Sequence, residues 1–245
     1  MTGGGGDQQG YLEDFEKLTG RTSSSGCGWT TDLRTQAMER FQSLGFPSTR
    51  DEEWKYTNVD ALRNARLRVV DPVVQSTAQI GDAFWSDDWG RYELNFPRIG
   101  DAPGSIDTSD GDVFIGHLAD AMASRQPWVE SHLGRYVDYQ DHAFRALNTA
   151  FMEDGGAVWL GPGRTLDRAV GLVFLAASGH GANYIQHPRT LVVVGAGSSL
   201  TLVEAYAGSA ENAYCNNAVT EVVLEEDAVL DHYRLLRGGI QAFHI

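Results

Sequence analysis

The sequence predicts a mixed α+β chain, a helical or mixed N-terminal region followed by stacked β-strands wound as a β-helix. Three observations carry that expectation. Apolar residues recur at helical spacing through much of the first 150 residues. Past Gly155 the helical period gives way to short strand-like runs separated by Gly, Pro, Asn and Asp. Three turns in that second part also align with one another at nearly constant spacing.

The first ten residues, "MTGGGGDQQG", are Gly-rich and polar and are expected to be a disordered tail, because they bury too little to offset backbone entropy. Tyr11, Leu12, Phe15 and Leu18 then follow at helical spacing, with Gly20 as the stop. After the linker "RTSSSGCG", a second helix carries Leu33, Ala37, Phe41 and Leu44 on one stripe and ends at Gly45 and Pro47. "RLRVV" and "RYELNF" read as strands, and a loop with Pro103, Gly104 and Asp110-Gly111 follows. "DVFIGHLADAMA" reads as a strand running into a helix, Pro127 fits a first helical turn, and "DHAFRALNTAFMEDGG" is one more helix before a Gly-Gly break. Residues 11–150 therefore form the expected helical or mixed domain.

In the second part, "AVWL", "GLVFLAA", "TLVVV", "LTLVEAY", "NAVTEVVL", "AVLDHYRLL" and "IQAFHI" are the predicted strands. The turns "WLGPGRTL", "VVGAGSSL" and "VLEEDAVL" start at 159, 193 and 223, each an apolar pair, five variable residues and a Leu. Such self-similarity marks a solenoid whose coils cover one another's apolar edges, so residues 156–245 are read as β-helix. An antiparallel sandwich is the competing reading.

Charge narrows the partners. Asp and Glu outnumber Lys and Arg by 33 to 19, a net charge of −14, which opposes attraction to nucleic acid or anionic membrane surfaces. The longest nearly apolar run, at 169–178, is about half of a spanning helix. The N-terminus has neither a basic nor an apolar leader region, and Glu13, Asp14 and Glu16 are unlike a transit peptide. Cys27 and Cys215 lie far apart with no CxxC pair, which points to a reducing compartment, and the cytoplasm is expected.

The stretch "RDEEWKYTNVDAL", residues 50 to 62, concentrates charge and aromatic area. Thr49 stands three residues before Glu52, the spacing of a capping box, and Thr57 with Asp60 offers a weaker second cap. Asp51, Glu52 and Glu53 then sit where a helix start favours negative charge, rather than in the desolvated cleft that paired catalytic carboxylates need. Trp54 and Tyr56 are expected to pack inward as docking anchors.

Candidate chemistry is sparse. "TLVVVGAGSSL" begins like a dinucleotide-binding turn, which would make the chain a flavin- or nicotinamide-dependent oxidoreductase. The third Gly position is Leu200, however, and "LTLVEAY" is built of strand formers where a helix should receive the pyrophosphate. The chain contains no G-x-x-x-x-G-K-[ST] phosphate loop. His180, His187, His232, His244 and Cys215 are of ligating type, but their spacing matches no metal motif, and the bland reading is structural or solvated histidine. His132 and His142 lie on predicted helices with no G-x-S-x-G nearby. A carbohydrate-binding solenoid would expose an aromatic ladder, and none is evident.

Four stretches, "RFQSLGFPSTRDEEWKYTNVDAL", "ALNTAFMEDGG", "HPRTLVVVGAGSSLTLVEAY" and "NAVTEVVLEEDAVLDHYRLLRGGIQAFHI", resemble the SufB/SufD family of the SUF iron-sulfur cluster assembly system, the SufD branch in particular. They run in the family's order from about residue 30 to the last residue, and the first is the most specific. The resemblance implies an N-terminal helical domain and a flattened right-handed parallel β-helix. It also implies a non-catalytic scaffold role in iron-sulfur cluster assembly and iron acquisition, beside a SufB-like protein and a SufC-like ATPase that supplies the missing phosphate loop. No cofactor is then expected in this chain, and an iron-sulfur cluster or flavin would be held only in the complex. Family members continue beyond "AFHI" into further coils and ATPase-binding helices, so the chain is expected to be a truncated form.

Overall fold

The computed structural model describes residues 5–22, 28–69, 91–96, 105–107, 111–176, 183–208 and 213–245. The Ser/Gly linker around Cys27, the loop at Pro103 and Gly104, and His180 lie outside them.

Helices α1 (Gly5–Thr22), α2 (Thr31–Leu44) and the short α3 (Asp60–Asn64) come first. Strands β1 (Arg68–Val69), β2 (Arg91–Phe96), β3 (Ser105–Asp107) and β4 (Val113–His117) follow, then α4 (Leu118–Ala123), α5 (Pro127–His132) and α6 (Ala143–Phe151). The remainder is strand: β5 (Gly156–Leu160), β6 (Ala169–Leu175), β7 (Tyr184–Gln186), β8 (Arg189–Val194), β9 (Ser199–Ala207), β10 (Tyr214–Asn216), β11 (Val219–Leu224), β12 (Val229–Arg237) and β13 (Ala242–His244). The class is α+β with sheets rich in parallel pairs.

Helix α1 corrects the expected tail, since residues 5–10 are already helical and the helix runs through Gly20. Tertiary contacts outweigh the weak propensity of the Gly-rich start: Gln8 Nε2 donates to the Gln42 carbonyl, and Gly10 lies against the Arg68 side chain. Helix α2 matches its predicted stripe. Phe41 and Ala37 are wholly buried, and Gly45 closes the helix at φ 68° with its N–H on the Phe41 carbonyl. Tyr11, Phe15, Phe41, Leu62, Phe144 and Phe151 make the helical core. Ile185 and Cys215 carry that core onto the sheet of order β1-β7-β10-β13.

The second sheet has the order β11-β8-β5-β4-β3 and the third β12-β9-β6-β2. Strand β4 pairs antiparallel with β3 and β5, whereas the pairs among β5 to β12 are parallel. Leu94, Ile115, Leu160, Leu172, Val192 and Leu202 fill the space between these two sheets. Leu191 and Val193, on the opposite face of β8, pack with Leu118, Met122, Val129 and Leu133 around α4 and α5. Strand β8 is consequently buried at all six positions, which is why "RTLVVV" reads as continuous apolar sequence rather than alternation.

The three aligned turns stack in hydrogen-bonded register. Trp159 pairs with Val193 and Val193 with Val223, the offsets of 34 and 30 read from sequence. Gly163 donates its N–H to the Ala196 carbonyl, and Gly197 donates to Glu226. Gly163, Gly197 and Asp227 all take left-handed backbone, with φ of 69°, 65° and 58°. Gly195 is needed for a different reason: a Cβ there would lie 2.8 Å from the Leu160 carbonyl oxygen. No helix follows this turn. Ser199 begins β9, so "GAGSSL" turns one strand into the next.

Two features escaped the sequence reading. The short strands β7 and β10 were too brief to show alternation, although Tyr184 and Tyr214 stand 30 residues apart and pair in register. An aromatic ladder also exists, but it is buried. Phe174 stacks on Phe96 and on Tyr206, each at 4.7 Å between ring centroids and within 16° of parallel. Phe174→Ala removes the middle ring and is expected to cost about 3–5 kcal/mol. Tyr233→Ala, at a 56% exposed position, should stay within about 0.5 kcal/mol of the parent. Urea midpoints of the two variants check the contrast.

Candidate functional site

The predicted docking stretch folds as a compact turn on the helical core. Ser48 donates its backbone N–H to the Asp51 carboxylate at 2.7 Å, and the Asp51 N–H returns to the Ser48 carbonyl at 3.0 Å. A single 3-10 turn at Glu52–Trp54 follows. The expected Thr49/Glu52 capping box does not form. Asp51 takes the N-cap position, both residues are exposed, and no side chain caps the turn. The weaker second cap is likewise replaced, because the Asn58 side-chain oxygen accepts the Asp60 N–H at 2.7 Å.

Trp54 is partly buried at the end of this turn. Its ring lies 5.2 Å from Phe144 and 5.7 Å from His142, packed at the rim of the helical core. Tyr56 corrects the expectation, for it is 93% exposed, with the Lys55 ammonium 5.7 Å from its ring. The two aromatics stand two residues apart in a tight turn, so one faces the core and the other faces solvent. Lys55, Tyr56 and the exposed Asp51, Glu52 and Glu53 thus form a polar-aromatic surface.

Behind this turn lies a buried polar junction. Arg189 Nη2 and Nε reach Glu221 Oε1 at 2.7 and 3.0 Å, and both side chains are wholly buried. The remaining Arg189 nitrogen donates to Asn148 Oδ1 at 2.9 Å and to Thr149 at 3.4 Å. Glu221 also accepts the backbone N–H groups of Gly134 and Tyr136. Asn148 donates to the carbonyls of Pro188 and Asn217, and Asn217 donates to the carbonyl of Phe144. One charge pair therefore joins α6, the loop after α5, β8 and β11. Burial lowers the Arg189 pKa from its ordinary value, and the charge and hydrogen bonds of Glu221 oppose that effect.

A second buried carboxylate, Glu204 on β9, accepts from Thr220 at 2.8 Å, Arg234 at 3.0 Å and His232 at 3.2 Å. Burial alone would raise its pKa, but His232, Arg234 and Thr220 together hold it below the ordinary carboxylate value. His244 stacks edge-on against Tyr206, and burial lowers its pKa. His187 is buried against the Phe151 ring, and its pKa is pushed down to about 3 by desolvation. Cys215 is buried, and its thiol is pushed up to about 12. Among the described residues no three His, Cys, Asp or Glu side chains converge on a metal position. His142 meets Trp54 and approaches Glu53 at 3.9 Å, while His132 stacks on Tyr136.

Two family models match the chain in order. The SufBD protein N-terminal region covers residues 6–85 and 103–172, and the SufBD core domain of SUF system FeS cluster assembly covers 175–245. The chain belongs to the SufBD family. An iron-sulfur cluster assembly SufBD family protein of Synechocystis is 28% identical over 222 residues, 86% of this chain and 48% of that protein. The chloroplastic protein ABCI7 of Arabidopsis thaliana is 23% identical over 222 residues, 87% of this chain and 45% of that protein. The chain thus spans about half the length of the SufBD relatives it matches. The junction between the two SufBD regions, near residue 173, falls inside β6, so the sheets are built from both. No helix among the described residues is long and apolar enough to cross a membrane.

Sequence reasoning missed the Arg189–Glu221 and Glu204–Arg234 pairs. Arg189 and Glu204 do stand out as charges within apolar strand runs, and that was the available signal. Arg189→Met is expected to cost about 3–5 kcal/mol, because Glu221 is left buried without its counter-charge. Adding Glu221→Gln removes that charge while its amide oxygen keeps an acceptor for one of the two N–H groups of Gly134 and Tyr136, so the double variant should be more stable than Arg189→Met alone. A urea double-mutant cycle measures this, and additive losses would contradict it. At the docking turn, Trp54→Ala should cost about 3 kcal/mol and Tyr56→Ala less than about 0.5 kcal/mol by the same measurement.

Proposed function

We propose that this chain is a non-catalytic scaffold component of a SUF-type complex for iron-sulfur cluster assembly and iron acquisition, working in the cytoplasm beside a SufB-like protein and a SufC-like ATPase. Its architecture in this reading is an N-terminal helical or mixed domain, residues 11–150, followed by a right-handed parallel β-helix from 156 onward. The observation that carries the reading is the ordered match of both SufBD regions along the chain.

The strand geometry supports the β-helix. Strands β5, β8 and β11 follow one another at offsets of 34 and 30 residues, β6, β9 and β12 at 32 and 30, and β7, β10 and β13 at 30 and 28. Three parallel columns advancing by one near-constant period, with stacked turns and a buried aromatic column, is the arrangement of successive coils.

The scaffold role is supported by where the ionisable side chains go. Arg189, Glu221 and Glu204 are spent on buried pairs, and His187 and Cys215 are held neutral in apolar surroundings. ATP hydrolysis belongs to the partner in this reading, and the cluster is cargo of the assembled complex.

Co-expression of this chain, affinity-tagged, with a SufB-like and a SufC-like protein tests the proposal. All three are expected in one eluted complex, with ATP turnover present only when the SufC-like protein is included. Partners that bind each other but leave the tagged chain behind would refute it.

A further inference from the structure

Between α1 and the turn joining α3 to β1 lies a cleft of about 380 Å³. That volume is at the small end of ligand pockets. Arg63, Arg66 and Arg68 face it, with Glu13 as the carboxylate in the lining, and Tyr11, Phe46 and Leu67 supply apolar wall. In a chain carrying a net charge of −14, three arginines within six positions around one cleft are a local concentration of positive groups.

The arginines are not equivalent. Arg68 is gripped by Asp14, Nη2 to Oδ1 at 2.6 Å and Nε to Oδ2 at 2.9 Å, with Glu13 at 3.4 Å. Arg63 reaches Asp60 at 3.5 Å. The Arg66 guanidinium makes no ion pair among the described residues.

Arg66 also occupies a costly backbone position. It sits just past the end of α3 at φ 49°, with its N–H on the Arg63 carbonyl, the left-handed site that helices usually give to glycine. A side chain there costs on the order of 1 kcal/mol. The turn is pinned in this shape from outside: Asn183 donates to the Ala65 carbonyl at 2.8 Å and accepts the Arg68 N–H through its own carbonyl at 3.2 Å. A cation is thus held in a strained conformation at the mouth of a cleft whose other two cations are already positioned by carboxylates. Non-glycine residues in such positions recur at ligand clamps, where the strain holds a side chain in place.

We propose that this cleft binds a small phosphate ester, its phosphate held by Arg66 with Arg63 and Arg68 alongside, and its organic part against Tyr11, Phe46 and Leu67. Guanidinium groups match phosphate oxygens in paired hydrogen bonds, and the apolar wall favours an ester over the free ion.

The test titrates the full chain with phenyl phosphate, inorganic phosphate and benzoate, following backbone amide NMR shifts. Phenyl phosphate is expected to give saturable shifts at Gln9, Gly10 and Arg68, and to bind more tightly than either other probe. Arg66→Gly should weaken phenyl phosphate binding by about tenfold, the loss of one charge-assisted contact, while leaving the melting temperature unchanged or higher. That split separates a binding role from a structural one. Absence of saturable shifts in the parent, or equal affinity in Arg66→Gly, overturns the proposal, and benzoate binding as tightly as phenyl phosphate overturns the phosphate assignment.

Discussion

The buried contact between Arg189 and Glu221 is the interaction on which the rest of the molecule depends. Both side chains are at zero exposure, and neither would be tolerated there alone, since an unpaired buried charge costs several kcal/mol. The pair is completed by atoms that belong to other elements: Asn148 and Thr149 of α6, and the backbone N–H groups of Gly134 and Tyr136 after α5. Helices and strands must therefore take one relative position for every polar group to be satisfied. Apolar packing holds α6 against the strands from many directions but tolerates sliding, whereas this network tolerates almost none.

Gly155 shows the same demand at the backbone. The Asp154 carbonyl accepts the Arg189 N–H, the Gly155 carbonyl accepts the Leu118 N–H, and a Cβ on Gly155 would lie 2.1 Å from the Arg189 carbonyl oxygen. Asp154 meanwhile holds His117 at 2.7 Å and caps α4 through the Ala119 N–H at 3.0 Å. The Gly-Gly break after α6 is thus the point where the chain passes from helix into sheet in direct contact with Arg189. A larger residue would push β5 away from β8 and open the junction.

Much of this architecture was legible because periodicity survives wherever one face is buried. The α2 stripe of Ala37 and Phe41, the strand-to-helix passage at His117, Pro127 at the start of α5, and the turns at 159, 193 and 223 all appear as read. The aligned turns were legible for a physical reason: stacked turns must share backbone shape, and Gly163, Gly197 and Asp227 hold the same left-handed position with residue types that tolerate it. What failed depended on tertiary contacts. Residues 5–10 are helical because Gln42 and Arg68 meet them, and nothing local announces those partners. Thr49 and Glu52 had capping spacing, but Asp51 closed the turn first through Ser48. Tyr56 carries the same apolar area as an anchor, yet Trp54 had already taken the inward direction.

The two buried carboxylates differ in what satisfies them, and that difference gives each a place in the structure. Glu221 is met by Arg189 and by backbone groups of the helical region, so it faces outward from the strands toward α5 and α6. Glu204 is met by Thr220, His232 and Arg234, all on β11 and β12, so it faces the space between the two larger sheets. Apolar packing specifies position along a strand only modulo two residues, because side chains alternate between faces. Glu204 removes that freedom, since sliding β12 by two residues keeps its faces but carries Arg234 and His232 about 7 Å along the strand and strands a carboxylate in an apolar interior. Slippage of β11 does the same to Thr220 on one face and to Glu221 on the other. The cost of burying these charges is thus offset by a single allowed register, and that register is what lets turns, aromatic rings and strand columns repeat at a near-constant period through the second half of the chain.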